Sequence, residues 1–310
     1  MGRTLELALG VLNGAVGDYL LRTGNGLATP MTFVRDGAPV APAAVAGGRR
    51  LVVLVHGLMC TEAVWELPDG SDYGTLLARD LGYAPLYVRY NTGLPIPENG
   101  LLLSRLLDAL VDASPGPVDE LLLLGFSMGG LVVRSACHVA TGAGSAWLPA
   151  VRRAIYVATP HLGAPAERVG RALSRLLGAI DDPYTRLAAQ LGDLRSDGIK
   201  DLGDADLRHE DRARRRPTIA LRDPRHPVPL LPQIRHHLVA GALPRDPRLA
   251  ALFGDGIVPI ASGTDGHFAG GAEAALPPDH VKVLGGVAHL SLAHHPDVYA
   301  HIRAWCEEDA

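Results

Sequence analysis

Three residues of this chain are suited to chemistry by type and setting, and they stand far apart. Ser127 lies in 125-GFSMGG-130, Asp255 in 254-GDGIVP-259 and His289 in 285-GGVAHL-290. A serine hydroxyl is a poor nucleophile near neutral pH. It needs a base to take its proton, and that base needs an acid to orient it. The order serine, acid, histidine along the chain is one of the orders in which such a set occurs.

Gly125-Phe126-Ser127-Met128-Gly129 follows the apolar run 121-LLLL-124 and precedes the helical pattern 128-MGGLVVRSACHVA-140. A serine at a strand-to-helix turn sits in strained backbone with its hydroxyl exposed above the sheet. Flanking glycines remove Cβ atoms that would collide with neighbouring elements. The helix start favours developing negative charge. The competing reading is a small-residue turn without chemistry.

An oxyanion formed on a carbonyl needs hydrogen-bond donors. The run 51-LVVLVHGLMC-60 ends a strand at His56-Gly57-Leu58. A turn there aims the Leu58 N–H at the space above Ser127, and the Met128 N–H is the second expected donor. His56 then braces the loop; as the base it would break the order serine, acid, histidine. The base is expected after the last strand, 281-VKVL-284, which selects His289. His294 and His295 are rivals on the approach to the terminal helix. His280 precedes the strand, at the wrong end of the sheet, and His267 has no strand behind it. The acid is expected after 237-HLVAGAL-243, which selects Asp255, with Asp265 as runner-up. The structural alternative for Asp255 is a turn aspartate bonding its own backbone.

The elements that must position these residues are legible as apolar runs. Further strands are expected at 85-PLYVRY-90 and 153-RAIYVAT-159, and a hairpin over 31–43 turns near Gly37. Helical patterns over 74–82, 101–113 and 128–140 separate the strands. Alternation of strand and helix predicts a mostly parallel sheet with helices on both faces. Residues 1–30 read as an N-terminal helical segment packed on the main domain. Its Leu5, Leu9, Leu12, Val16 and Tyr19 share one helical face. The strands near Val157 and Val239 are widely separated. Helices are expected between them over 166–180 and 184–196. We read 164–235 as an insertion over the sheet edge, within one domain spanning 1–310.

The 310 residues carry a net charge of -4, with 47% hydrophobic and only 5% aromatic residues. That balance does not point to nucleic acid, and an apolar pocket would be lined by aliphatic side chains. The three cysteines, Cys60, Cys137 and Cys306, form no disulfide or zinc pattern. No metal-ligand cluster and no cofactor are expected. No apolar run is long enough to span a bilayer. A missing signal pattern and unpaired cysteines suit a cytoplasmic location. The run 208-RHEDRARRR-216 reads as a solvated loop, with transient contact with a membrane surface as the other reading.

The set 53-VLVHGL-58, 123-LLGFSMGGLVVRSACH-138, 159-TPHLGAP-165, 254-GDGIVP-259 and 286-GVAHLSL-292 resembles the α/β-hydrolase superfamily. Within it the chain is similar to bacterial lipase-like and PGAP1-like hydrolases, from about Leu51 to the end. The resemblance implies an α/β-hydrolase fold, with Ser127, Asp255 and His289 as nucleophile, acid and base. It implies Leu58 and Met128 as oxyanion donors, and the insertion after Pro165 as a helical cap or lid. Phe126 departs from the histidine common at that position in relatives. That position is expected to face away from the substrate.

The expected function is hydrolysis of a carboxylic ester, of esterase or lipase type. The substrate would be a small molecule or lipid with an apolar acyl group reached beneath the insertion. The aliphatic Leu173, Leu176, Leu177, Ile180, Leu187 and Leu191 suggest such a pocket, or else pack the insertion onto the domain. The alternatives are an acyltransferase or thioesterase using the same residues, and a non-catalytic protein of this fold that binds a lipid or partner.

Overall fold

The computed structural model describes residues 3–165, 196–210, 228–244, 246–266 and 276–308. Among them, eight strands form one sheet. They are β1 (Thr32–Arg35), β2 (Ala38–Val40), β3 (Arg50–Val55), β4 (Ala84–Arg89), β5 (Glu120–Phe126), β6 (Val151–Val157), β7 (Arg235–Ala242) and β8 (Val281–Gly285). The spatial order is β2-β1-β4-β3-β5-β6-β7-β8. The β1–β2 hairpin is antiparallel and adds antiparallel to β4. All other neighbours are parallel.

The helices among the described residues include α1 (Arg3–Arg22), α2 (Pro42–Val45), α3 (Tyr73–Leu81), α4 (Ile96–Asp112), α5 (Met128–Ala143), α6 (Asp197–Asp204), α7 (Pro247–Phe253), α8 (Ile260–Gly263) and α9 (Pro296–Glu307). The central strands are continuous apolar runs because both faces are covered. Leu51, Val53, Leu121 and Leu123 pack in one core with Leu103, Leu107 and Leu131 of α4 and α5. Their neighbours Val52, Leu54, Leu122 and Leu124 pack in the other with Tyr73 and Leu77 of α3 and Val298 and Ile302 of α9. This is the period-2 alternation of a strand, with a hydrophobic layer on each side.

The chain passes from β3 to β4 on one side and then to β5 on the other. Where connections diverge like this, a crevice opens beyond the carboxyl ends of the two central strands. The loops after β3 and β5, with Leu58 and Ser127, border that crevice.

Two expectations are corrected. Tyr19 is half exposed, whereas Ala8, Val11, Leu12, Ala15, Val16 and Leu20 are buried. Val16 has φ −140° inside α1, so the last turn leaves the phase of a regular helix. Helix α4 begins at Ile96, five residues before the expected 101, because Pro97 occupies its first turn, where a missing N–H costs nothing. The helices expected over 166–180 and 184–196, apart from Ser196, lie outside the described residues, as does most of 208–216. Among the described residues, no helix is long and apolar enough to cross a membrane, and no cluster of three or more potential ligands could hold a metal ion.

Candidate active site

Ser127 stands between β5 and α5 with φ 52° and ψ −123°. Non-glycine residues rarely take positive φ, and the conformation persists only where surroundings impose it. Two glycines make that possible. A Cβ at Gly129 would collide with the carbonyl oxygens of Val55 and His56, and one at Gly125 with the backbone of Gly130. The helix therefore starts hard against the sheet. Ser127 N donates to Val157 O at 2.8 Å, fixing the turn to β6. Its side chain makes no capping bond to α5, so the hydroxyl is free to face the crevice.

His289 follows β8 and directs Nε2 to Ser127 Oγ at 3.0 Å. Its Nδ1–H donates to Asp255 Oδ2 at 2.8 Å. Asp255 also serves its own turn: Oδ1 accepts from the N–H groups of Ile257 (3.0 Å) and Val258 (2.8 Å). The turn role and the contact with histidine thus coexist, one per carboxylate oxygen. The His289 N–H donates to Asp255 O at 3.1 Å, which locks the two loops together. All three side chains belong to buried residues. A carboxylate on Nδ1 fixes the proton there and leaves Nε2 to accept from a hydroxyl.

The other candidates go elsewhere. His294 Nδ1 donates to Val64 O at 3.1 Å. His295 caps α9 by accepting from Asp297 N at 3.2 Å. His280 donates to His236 O at 3.0 Å, before β8. His267 lies outside the described residues. Asp265 pairs with Arg134 of α5 at 3.2 Å. Burial works to raise its carboxyl, but the pull of His161 and Arg134 leaves it below the ordinary carboxylate value.

His56 lies behind the Leu58 turn. Its Nδ1–H donates to Gly57 O at 3.0 Å, and Cys60 N donates to the same oxygen at 3.2 Å. Gly57 O and Leu58 N–H belong to one planar trans peptide and point in opposite directions. Two donors on the carbonyl therefore orient the amide. Burial lowers the pKa of His56 to about 4, so the ring is neutral at pH 7.

Sequence reasoning missed two contacts. Phe126 is buried, and its ring lies 5.2 Å from the His289 imidazole and 6.1 Å from Trp65. The second is a buried group under α5. Arg134 donates Nε and Nη2 to Val228 O and Nη1 to His161 Nδ1 at 3.0 Å. The arginine beside the elbow and the histidine in 159-TPHLGAP-165 were visible as motif residues, but nothing local links them.

The model of a family described as Alpha/beta hydrolase family matches residues 52–302. No curated protein matches the sequence. Among solved structures, the mature form of the Bacillus licheniformis lipase BlEst2 aligns at 18% identity and a TM-score of 0.51. The alignment covers 84% of this chain and 92% of that one. The propeptide form of the same lipase aligns at 18% and 0.53, covering 86% of this chain and 52% of that one. Lipase 1 of Pelosinus fermentans aligns at 13% and 0.49, covering 84% and 98%. At these identities the likeness concerns the fold, and it does not single out the PGAP1-like subfamily. With a family match over most of its length and an eight-stranded, mostly parallel sheet, the chain belongs to the α/β-hydrolase family.

Proposed function

We propose that the protein hydrolyses carboxylic esters, with Ser127 as nucleophile, His289 as general base and Asp255 as its orienting acid. The observation that carries this reading is the unbroken hydrogen-bond chain Asp255–His289–Ser127, with links of 2.8 and 3.0 Å. His289 takes the Ser127 proton as Oγ attacks the ester carbonyl. The N–H groups of Leu58 and Met128 receive the oxyanion, and one such donor is worth about 3 kcal/mol. His289 then protonates the departing alcohol. Water, deprotonated by the same imidazole, releases the acid from the acyl-enzyme.

The reading extends to an apolar acyl group. Leu162, Leu243 and Leu290, which follow β6, β7 and β8 on the serine side of the sheet, are exposed. Leu290 is the neighbour of His289 in sequence. The aliphatic residues of the 164–235 insertion, which we read as a cap over this rim, would complete such a pocket; those from Leu173 to Leu191 lie outside the described residues.

The test is a panel of p-nitrophenyl esters of increasing acyl length, run on wild type beside Ser127→Ala. Hydrolysis is expected to rise with chain length, and Ser127→Ala is expected to lower kcat on the order of 10⁶-fold. Equal rates from short to long chains would remove the apolar-pocket claim. Added alcohols and thioesters as competing substrates separate hydrolysis from acyl transfer and thioesterase activity. A folded wild type inert towards all of them would favour a non-catalytic binding protein.

A further inference from the structure

Helix α1 and the loop after β4 take no part in the proposed chemistry, yet both converge on the turn that holds Leu58. Tyr90 OH donates to His56 O at 2.8 Å, and its ring stacks on the His56 imidazole at 4.5 Å. Two residues on, Thr92 Oγ1 accepts the Met59 N–H at 3.1 Å. The two bonds bracket Leu58, one at the carbonyl of residue 56 and one at the amide of residue 59. Met59 itself is buried and has φ 60°, a conformation that a non-glycine residue holds only under restraint.

Helix α1 supplies that restraint from outside. A Cβ at Gly14 would strike Met59 Cγ and come within 3.0 Å of Met59 N and Cα. Asn91 Nδ2 donates to Gly17 O at 2.9 Å, tying the β4 loop to the same helix. Ser196, ahead of α6, donates to Gly14 O at 2.6 Å. Residues 3–22 lie before the family match, which begins at 52. The helix is thus outside the matched family region but pressed against its most geometry-sensitive turn.

We infer that Thr92 and Gly14 are positioning residues for the Leu58 amide, acting through Met59, and that α1 is a working part of the oxyanion turn. The inference rests on the proposed role of Leu58. An oxyanion donor works only within a few tenths of an ångström of its place. Releasing Met59 N, or pushing its backbone with a methyl group at position 14, displaces the preceding amide. Such a loss is felt in the transition state and little in substrate binding.

The experiment measures kcat, KM and the thermal midpoint for full-length Thr92→Val, Thr92→Ser and Gly14→Ala, with Ser127→Ala as control. The substrate is the fastest p-nitrophenyl ester of the panel. Thr92→Val keeps the shape and removes the acceptor; it is expected to lose on the order of tenfold in kcat with KM within about twofold. Thr92→Ser restores the acceptor and is expected to stay near wild type. Gly14→Ala reaches the same turn from the other side and is expected to lower kcat likewise. Wild-type kcat in both Thr92→Val and Gly14→Ala would overturn the inference. So would a loss that Thr92→Ser does not rescue and that follows the thermal midpoint. If Ser127→Ala turns over like wild type, the reading of the site fails first and the inference falls with it.

Discussion

Among the described residues, two largely buried groups each combine an aspartate and a histidine, and in the proposed reaction one of them moves the proton. Asp255 and Asp265 lie ten residues apart, around the short helix α8. Asp255 meets His289, whose other nitrogen reaches a hydroxyl. Asp265 meets Arg134, which donates into His161 Nδ1. Burial lowers the pKa of His161 to about 3, against the opposing pull of Asp265. With a guanidinium beside its accepting nitrogen, His161 stays neutral and cannot pick up a proton near pH 7. What opposes the imidazole differs: an acceptor carboxylate suits the proposed proton transfer, a donor cation suits bracing.

The bracing role is visible in what the second group joins. Arg134 is on α5, directly after the serine turn, and it holds Val228 O, His161 and Asp265. The His161 loop is stitched to α8 by His161 N to Ser262 O at 3.1 Å and by Ser262 Oγ to Gly163 O at 2.7 Å. A largely buried pair like this is destabilising to break, because it leaves a charge without a partner.

Swapping each aspartate for asparagine separates the two groups most strongly. In Asp255→Asn an amide can still accept from Ile257 and Val258, but its NH2 cannot accept from His289 Nδ1. The imidazole is then forced into the wrong tautomer. The expected loss is about 10⁴-fold in kcat with nearly unchanged urea stability. Asp265→Asn should do the reverse: about 3 kcal/mol of stability lost, read from the urea midpoint, with kcat of the folded protein within a few-fold of wild type. Equal activity losses in the two variants would erase the distinction between the groups.

An effect smaller per residue concerns pH. His56 and His236 are lowered to about 4, and His161 and His237 to about 3, in each case chiefly by burial. The unfolded chain, with ordinary histidines near 6.5, binds protons before the folded one does. The stability these groups contribute is therefore complete above pH 6.5 and is lost as pH falls towards 4. At pH 5 the loss is up to about 2 kcal/mol per group. Urea unfolding at pH 7 and pH 5 measures it, and His161→Gln should make the loss shallower. A midpoint that does not move between the two pH values would contradict the neutral state of these rings.

The sheet was legible because its signal is local. Apolar runs such as 51–55 and 121–124 are long enough to need cover on both faces, and strand ends coincide with glycine-rich turns. Ser127 carried its own context, and the place of His289 in the glycine-rich loop just after the last expected strand set it apart from its rivals. Other features depend on contacts that no window contains. Nothing near Phe126 announces that its ring meets His289, far along the chain. Arg134 finds partners at 161, 228 and 265, so its role is invisible until the chain is folded. The kink at Val16 disturbs a periodic pattern that reads as regular, which is why Tyr19 was assigned to the wrong side of α1.

In the proposed reaction the imidazole at 289 makes the hydroxyl at 127 reactive. Labelling with a fluorophosphonate, followed by mapping of the modified peptide, addresses that link without requiring the natural ester. One adduct per chain is expected, on Ser127, with the rate of labelling falling at least 10³-fold in His289→Ala while the protein remains folded. An adduct on another serine, or a folded His289→Ala variant labelled as fast as wild type, would contradict that link.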